Sequence, residues 1–215
     1  MTTTAVDNDV LLKGACYDLL AEIVGVVPAN PDEVGVLGAA PFVLTKRLRK
    51  VGLCSNSEKA VARLDVFLQD VTTLEPTEEE LSIAAELEHA AQRAGVNLDG
   101  GESQLSAMIL RRNLYWLVTG DKRAVAALGC LRERDESLMP MDGKVVCLEQ
   151  LFARLLTNTD PTHIHDVVCG EPNVDRALAI CFCCTSPEVG LVQWQAGLES
   201  YIADIRKTAK TLLVS

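Results

Sequence analysis

A chain of 215 residues that is 48% hydrophobic and only 4% aromatic has the size and apolar content for one well-buried α/β domain, with or without a helical extension, and excludes a disordered polymer. The formal net charge of −10 excludes bulk, non-specific attraction to nucleic acid, which needs a basic field, but leaves room for a local basic run at Lys46, Arg47, Arg49 and Lys50. Apolar runs fall short of the roughly 20 residues that span a bilayer. No signal peptide is expected at the N-terminus. Most of the eight cysteines sit in apolar helical pattern, as Cys16, Cys130 and Cys147 do, so a cytoplasmic, reduced protein without membrane contact is expected.

In chain order, residues 5–12 form a short, near-continuous apolar run around Asp7 and Asp9, which suits a parallel strand buried on both faces. Cys16, Leu19, Leu20, Ile23 and Val24 then recur at a helical period, and Pro28, Asn30 and Pro31 break the chain. Residues 34–40 fit a second strand or a helix start, and Pro41 predicts a helix over about 41–51. Val61, Leu64, Phe67 and Leu68 mark a further helix, followed by a short strand at 71–74. Thr77, with Glu80 three residues on, caps a helix that runs to about Ala94 and stops at Gly95. A helix over 102–112, a strand over 114–118 and a helix over 122–132 complete an alternation that predicts a parallel sheet with helices on both faces.

Beyond Met141-Asp142-Gly143 the segments 145–156, 174–184 and 191–213 read mainly as helices. His163 and His165 are expected in a loop, and Cys169, Cys181, Cys183 and Cys184 in the core rather than around zinc. The soft break near 135–144 divides the chain into an α/β domain over residues 1–140 and a helical extension over 141–215 packed on it.

The acids carry the chemistry. Ligands of open parallel sheets bind outside the carboxyl ends of the strands. Asp7 falls in the first strand signature, Asp121 lies just past a later one, and Asp99 and Glu102, three residues apart, share a helix face. Three or four such carboxylates can hold a hard divalent cation, which activates water toward a phosphodiester. The same residues also read as helix caps, Asp99 with Glu102 for one helix and Asp121 for the next. Spacing alone does not choose between the two.

The ordered set Asp7-Asn8-Asp9-Val10-Leu11-Leu12, Asp99-Gly100-Gly101-Glu102 and Thr119-Gly120-Asp121 resembles the motifs of the PIN-domain family, which includes toxins of the VapC type, over about residues 4–131. The resemblance implies a three-layer α/β/α sandwich and a nuclease, most readily a ribonuclease, that uses Mg²⁺ or Mn²⁺. Asp7, Asp99, Glu102 and Asp121 would be its catalytic, metal-ligating acids, and Asp9 and Thr119 auxiliaries. It implies a single-stranded RNA substrate, reached by Lys46, Arg47, Arg49 and Lys50, and a homodimer or an antitoxin-like protein as partner. The alternative is a PIN-like fold without catalysis that binds RNA or protein. One departure is clear: the helix after the second strand reads Gly38-Ala39-Ala40-Pro41-Phe42-Val43-Leu44, where the family carries an acid, and Glu33 lies a few residues earlier.

Overall fold

The computed structural model describes residues 3–27, 33–50, 52–186 and 188–215. Five parallel strands make one sheet: β1 (Thr4–Val6), β2 (Val34–Leu37), β3 (Thr72–Leu74), β4 (Leu117–Thr119) and β5 (Val145–Cys147), in the order β3-β2-β1-β4-β5. Around it run α1 (Asn8–Tyr17), α2 (Leu20–Val26), α3 (Ala40–Leu48), α4 (Ser57–Phe67), α5 (Glu78–Ala94), α6 (Gly100–Arg112), α7 (Lys122–Arg132), α8 (Leu148–Asn158), α9 (Pro161–Gly170), α10 (Arg176–Cys181) and α11 (Leu191–Ala209). The chain steps outward from β1 to β2 and β3, then returns to the other side of β1 for β4. Its direction therefore reverses between β1 and β4.

Side chains alternate between two cores because successive strand residues point to opposite faces. Val6, Val36, Val118 and Val146 join the core built with α1–α4 and α8–α10, while Ala5, Leu37, Leu117 and Val145 join the core built with α5, α6 and α7. Helices on both faces of a parallel sheet are consistent with a three-layer α/β/α arrangement. α11 passes from one core to the other, giving Trp194 and Leu198 to the first and Ile205 and Ala209 to the second. It presses on α7 at Gly129, where a Cβ would collide with the backbone oxygen of Thr208 and lie 2.8 Å from the Cα of Ala209. Gly129→Ala is therefore expected to cost about 1–3 kcal/mol by forcing the two helices apart. An unchanged melting temperature would contradict this close fit.

Several expectations are corrected. The strand over 5–12 is only three residues long, and the apolar run Val10–Leu12 belongs to α1, where all three residues are buried. A continuous apolar run fits a buried helix as well as a buried strand. Val145–Cys147 is a strand, not a helix start, and pairs with β4 in the same sheet, so the sheet continues past residue 140. His163 and His165 lie on α9, begun by the Asp160 cap and Pro161, with His165 stacked 4.4 Å from Trp194. Cys169 and Cys184 form a disulfide because α9 and the turn that follows α10 bring their Cα atoms to 5.0 Å, within bridging reach. The Thr77–Glu80 capping box and the Gly95 stop stand as expected. The chain break at Pro28, Asn30 and Pro31 lies outside the described residues. Among the described residues, no helix is long and apolar enough to cross a membrane.

A candidate acidic site at the strand switch

Where the order of strands reverses, the loops leaving two neighbouring strands diverge to opposite faces and open a crevice at their carboxyl ends. Here that crevice lies between β1 and β4. Asp7 follows β1 directly and caps α1, its side chain accepting from the Asp9 amide at 3.2 Å. Thr119, the last residue of β4, donates its hydroxyl to Asp7 Oδ2 at 3.4 Å and accepts from the Asp121 amide at 3.1 Å. One threonine thus ties the two strand ends together.

The other two acids come from α6. Its C-terminal end is fixed by Arg112, which grips both carboxylate oxygens of Glu80 on α5 at 2.6 Å each. Arg112 and the Thr77 cap hold the Glu80 carboxyl down to about 2. Its N-terminal end is fixed by Ser103, which donates to Glu88 of α5 at 2.6 Å. Asp99 sits at the cap position of α6 but makes no side-chain capping bond, which leaves its carboxylate exposed and uncommitted to the helix.

Asp7, Asp9, Asp99, Glu102 and Asp121 line one cavity of about 650 Å³, together with Ala39, Val43, Arg47, Gly120 and Arg123. Asp7 is 3% exposed and Glu102 7%. Among the described residues neither has a cation within salt-bridge distance. Burial, with added repulsion from Asp9, pushes the Asp7 carboxyl up to about 6. Burial, then repulsion from Asp7, Asp121 and Asp99, pushes Glu102 up to about 7. Residues distant in sequence therefore share one field.

Asp121 is the exception. Burial works against its charged form, but the Arg123 guanidinium and the α7 amides outweigh it and lower its pKa. Its oxygens accept from Arg123 Nη2 at 2.7 Å and from the Arg123 and Ala124 amides at 2.8 and 3.3 Å, so it acts as a helix cap in this conformation. Asp9 is similarly engaged, with Lys13 at 2.5 Å and Arg47 at 3.4 Å. Gly120 makes room for Asp9: a Cβ there would collide with Asp9 Oδ2 and lie 3.2 Å from Lys13 Nζ.

Lys13 and Asp175 were not foreseen as part of this region. Lys13, 7% exposed, also pairs with Asp175 at 2.6 Å, and Asp175 caps α10. The link Asp9–Lys13–Asp175 joins the acidic crevice to the C-terminal segment. A lysine among apolar residues on the first helix was the available signal, but its partner lies 162 positions away.

Of the basic run, Arg47 lines the cavity, whereas Lys46 and Arg49 line a neighbouring cleft and Lys50 lines neither. α3 presents Ala39 and Val43 to the cavity where the resembled family carries an acid, and Glu33 is not among its lining residues. Among the described residues, no three His, Cys, Asp or Glu side chains are arranged to hold a metal ion as the side chains stand. The donor chemistry nevertheless fits a hard cation: several carboxylates, two of them buried and, among the described residues, without positive partners. Comparisons with protein-family models, curated proteins and solved structures gave no match.

Proposed function

We propose that the chain is a PIN-like, Mg²⁺- or Mn²⁺-dependent nuclease that hydrolyses single-stranded RNA. The observation that carries this is the gathering of Asp7, Asp99, Glu102 and Asp121, from three separate segments, around one crevice at the strand switch. A bound divalent ion supplies water acidic enough to attack phosphorus at neutral pH, and positive charge for the phosphodiester oxygens. Asp7 and Glu102 form the buried floor that would hold the ion, and Asp99 adds an exposed carboxylate at the rim. Asp121 would join them if its carboxylate turned from Arg123, leaving that guanidinium for a phosphate. Thr119 fixes the spacing of the two strand ends, and Asp9, held by Lys13, adds negative charge from the side.

The engagement of Asp121 with Arg123, and an α3 that brings no acid, favour a second reading: the same fold binding RNA or a protein without cleaving it. One experiment separates them. Calorimetry with Mn²⁺ on the wild type and on Asp99→Asn is followed by a single-stranded RNA cleavage assay on each. The nuclease is expected to bind Mn²⁺ and cleave, with binding weakened at least tenfold and cleavage reduced about 10²-fold or more in the variant. Cation binding without cleavage would favour the second reading. No cation binding by the wild type would end the enzyme proposal.

A further inference from the structure

Phe42 has 81% of its surface exposed, more than any other large hydrophobic side chain among the described residues. A lone exposed phenylalanine is ordinary. Three features set this one apart. It stands on α3, whose Ala39, Val43 and Arg47 line the acidic cavity, so it occupies the shoulder of the candidate site. It also shares a shallow cleft of about 480 Å³ with Pro41, Thr45, Lys46 and Arg49. Finally, Lys46, Arg49 and Lys50 are exposed and, among the described residues, form no salt bridge, in a chain whose net charge is −10.

Helix geometry places these groups in sequence around α3. At about 100° per residue, Phe42, Lys46 and Arg49 fall within an arc of roughly 60°. Continuing past Lys46, the surface turns through Val43 to Arg47 and the cavity, while Ala40, Leu44 and Leu48 face the core. The helix thus offers a flat apolar ring beside exposed cations, on a continuous path to the carboxylates. A ring with adjacent cations is the arrangement that holds an unpaired base and its phosphates: stacking needs only a π-face, and the backbone needs positive charge.

We propose that the Phe42 face of α3 is a subsite for single-stranded nucleic acid, with Phe42 stacking one base and Lys46 and Arg49 taking the phosphates that lead from it to the cavity. The subsite deepens the nuclease reading and rests on it for the direction of the strand, but binding can be measured without cleavage. Phe42 barely touches the core, so substitutions there leave the fold intact, as circular dichroism would verify.

The test is fluorescence anisotropy of the full chain with a labelled oligouridylate, and with an abasic ribose-phosphate oligomer of the same length, in Ca²⁺ buffer and in EDTA. Phe42→Ala is expected to bind the oligouridylate about five- to a hundred-fold more weakly and the abasic oligomer unchanged, because a stacked base contributes about 1–3 kcal/mol. Phe42→Trp is expected to restore binding. Lys46→Ala is expected to weaken both oligomers alike and to reduce the slope of log affinity against log salt by about 0.7. The subsite is overturned if the wild type binds neither oligomer in either buffer, or if Phe42→Ala loses both equally. It is also overturned if Phe42→Ala abolishes only self-association of the chain, which would make the face a protein contact. Cleavage lost with this binding pattern kept would sink the nuclease alone. Cleavage kept with oligouridylate affinity unchanged in Phe42→Ala would sink the subsite alone.

Discussion

The metal-free protein is expected to lose stability as the pH rises from about 4 to 8, and to recover it at the upper end when Mn²⁺ or Mg²⁺ is added. Two buried carboxyls set the sign. Asp7 rises from 3.8 to about 6 and Glu102 from 4.5 to about 7, so the fold prefers both protonated. The stability this gives is fully present below the unfolded values near 4 and disappears as the pH passes through about 6 and 7. Each gap corresponds to about 3 kcal/mol, and because the two groups repel one another the parts are not simply additive. Below the window the sign reverses. Glu80, held down to about 2 by Arg112, gives stability that is present above its unfolded value and lost as the pH falls toward 2. Metal-free stability should therefore be greatest at about pH 4 to 5.

Asp7→Asn isolates the first group. The amide oxygen still accepts the Asp9 amide bond and still caps α1, but no charge is buried. Its metal-free melting temperature at pH 8 is expected to exceed the wild type's by about 6–12 °C, while the stabilisation by Mn²⁺ shrinks or vanishes. Thermal melts across pH, with and without Mn²⁺, check both halves. A flat wild-type profile would remove the basis for two uncompensated acids, and a variant that melts lower at pH 8 would show that the Asp7 charge already has a partner.

Lys13→Met should be among the most damaging single substitutions outside the apolar core. The side chain keeps its stem but withdraws the only cation within salt-bridge distance of Asp175 among the described residues, and the nearer of two for Asp9. Removing one member of a buried ionic group costs about 3–5 kcal/mol, because the remaining charges stay desolvated. Asp175→Asn relieves one of those charges and still accepts the Leu178 amide that caps α10. The double variant is therefore expected to be more stable than Lys13→Met alone, with a coupling of about 1–3 kcal/mol in a double-mutant cycle. Denaturant titration decides it: a loss under about 1 kcal/mol, or strict additivity, would mean that the three groups do not act as a unit.

What the sequence revealed follows from how local each signal is. α5 was legible from end to end, because Thr77, Glu80 and Gly95 act within a few residues of the turns they terminate. Asp7, Asp99, Glu102 and Asp121 were also legible as a set, since each stands beside a strand end or helix start that its neighbours mark. β1 and β5 were misjudged because each is three residues long, too short for an alternation to show, and each runs into a buried helix. The Cys169–Cys184 bridge and the Lys13–Asp175 pair join segments whose proximity depends on how α9 and α10 fold back. Whether Asp121 faces Arg123 or the crevice is likewise a choice of rotamer, which residue type cannot express.

The residues after α11 leave the β5 side of the sheet already occupied. Leu212 and Val214 exchange backbone hydrogen bonds with Val145 at 2.9 Å each, and the Gly143 amide donates to Thr211 at 2.8 Å. Gln150 and Arg206 hold the Val214 carbonyl from the side. A second copy of the chain cannot extend the sheet by annealing to β5 while this segment is in place, for the donors and acceptors it would need are taken. β3 is the terminal strand on the other side of the sheet, with Thr72 and Thr73 at the surface. Continuous-sheet assembly of this protein through Val145 of β5 is thereby blocked. An appendage fused close behind Val214 would have to leave these hydrogen bonds to Val145, Gln150 and Arg206 in place to keep that seam closed.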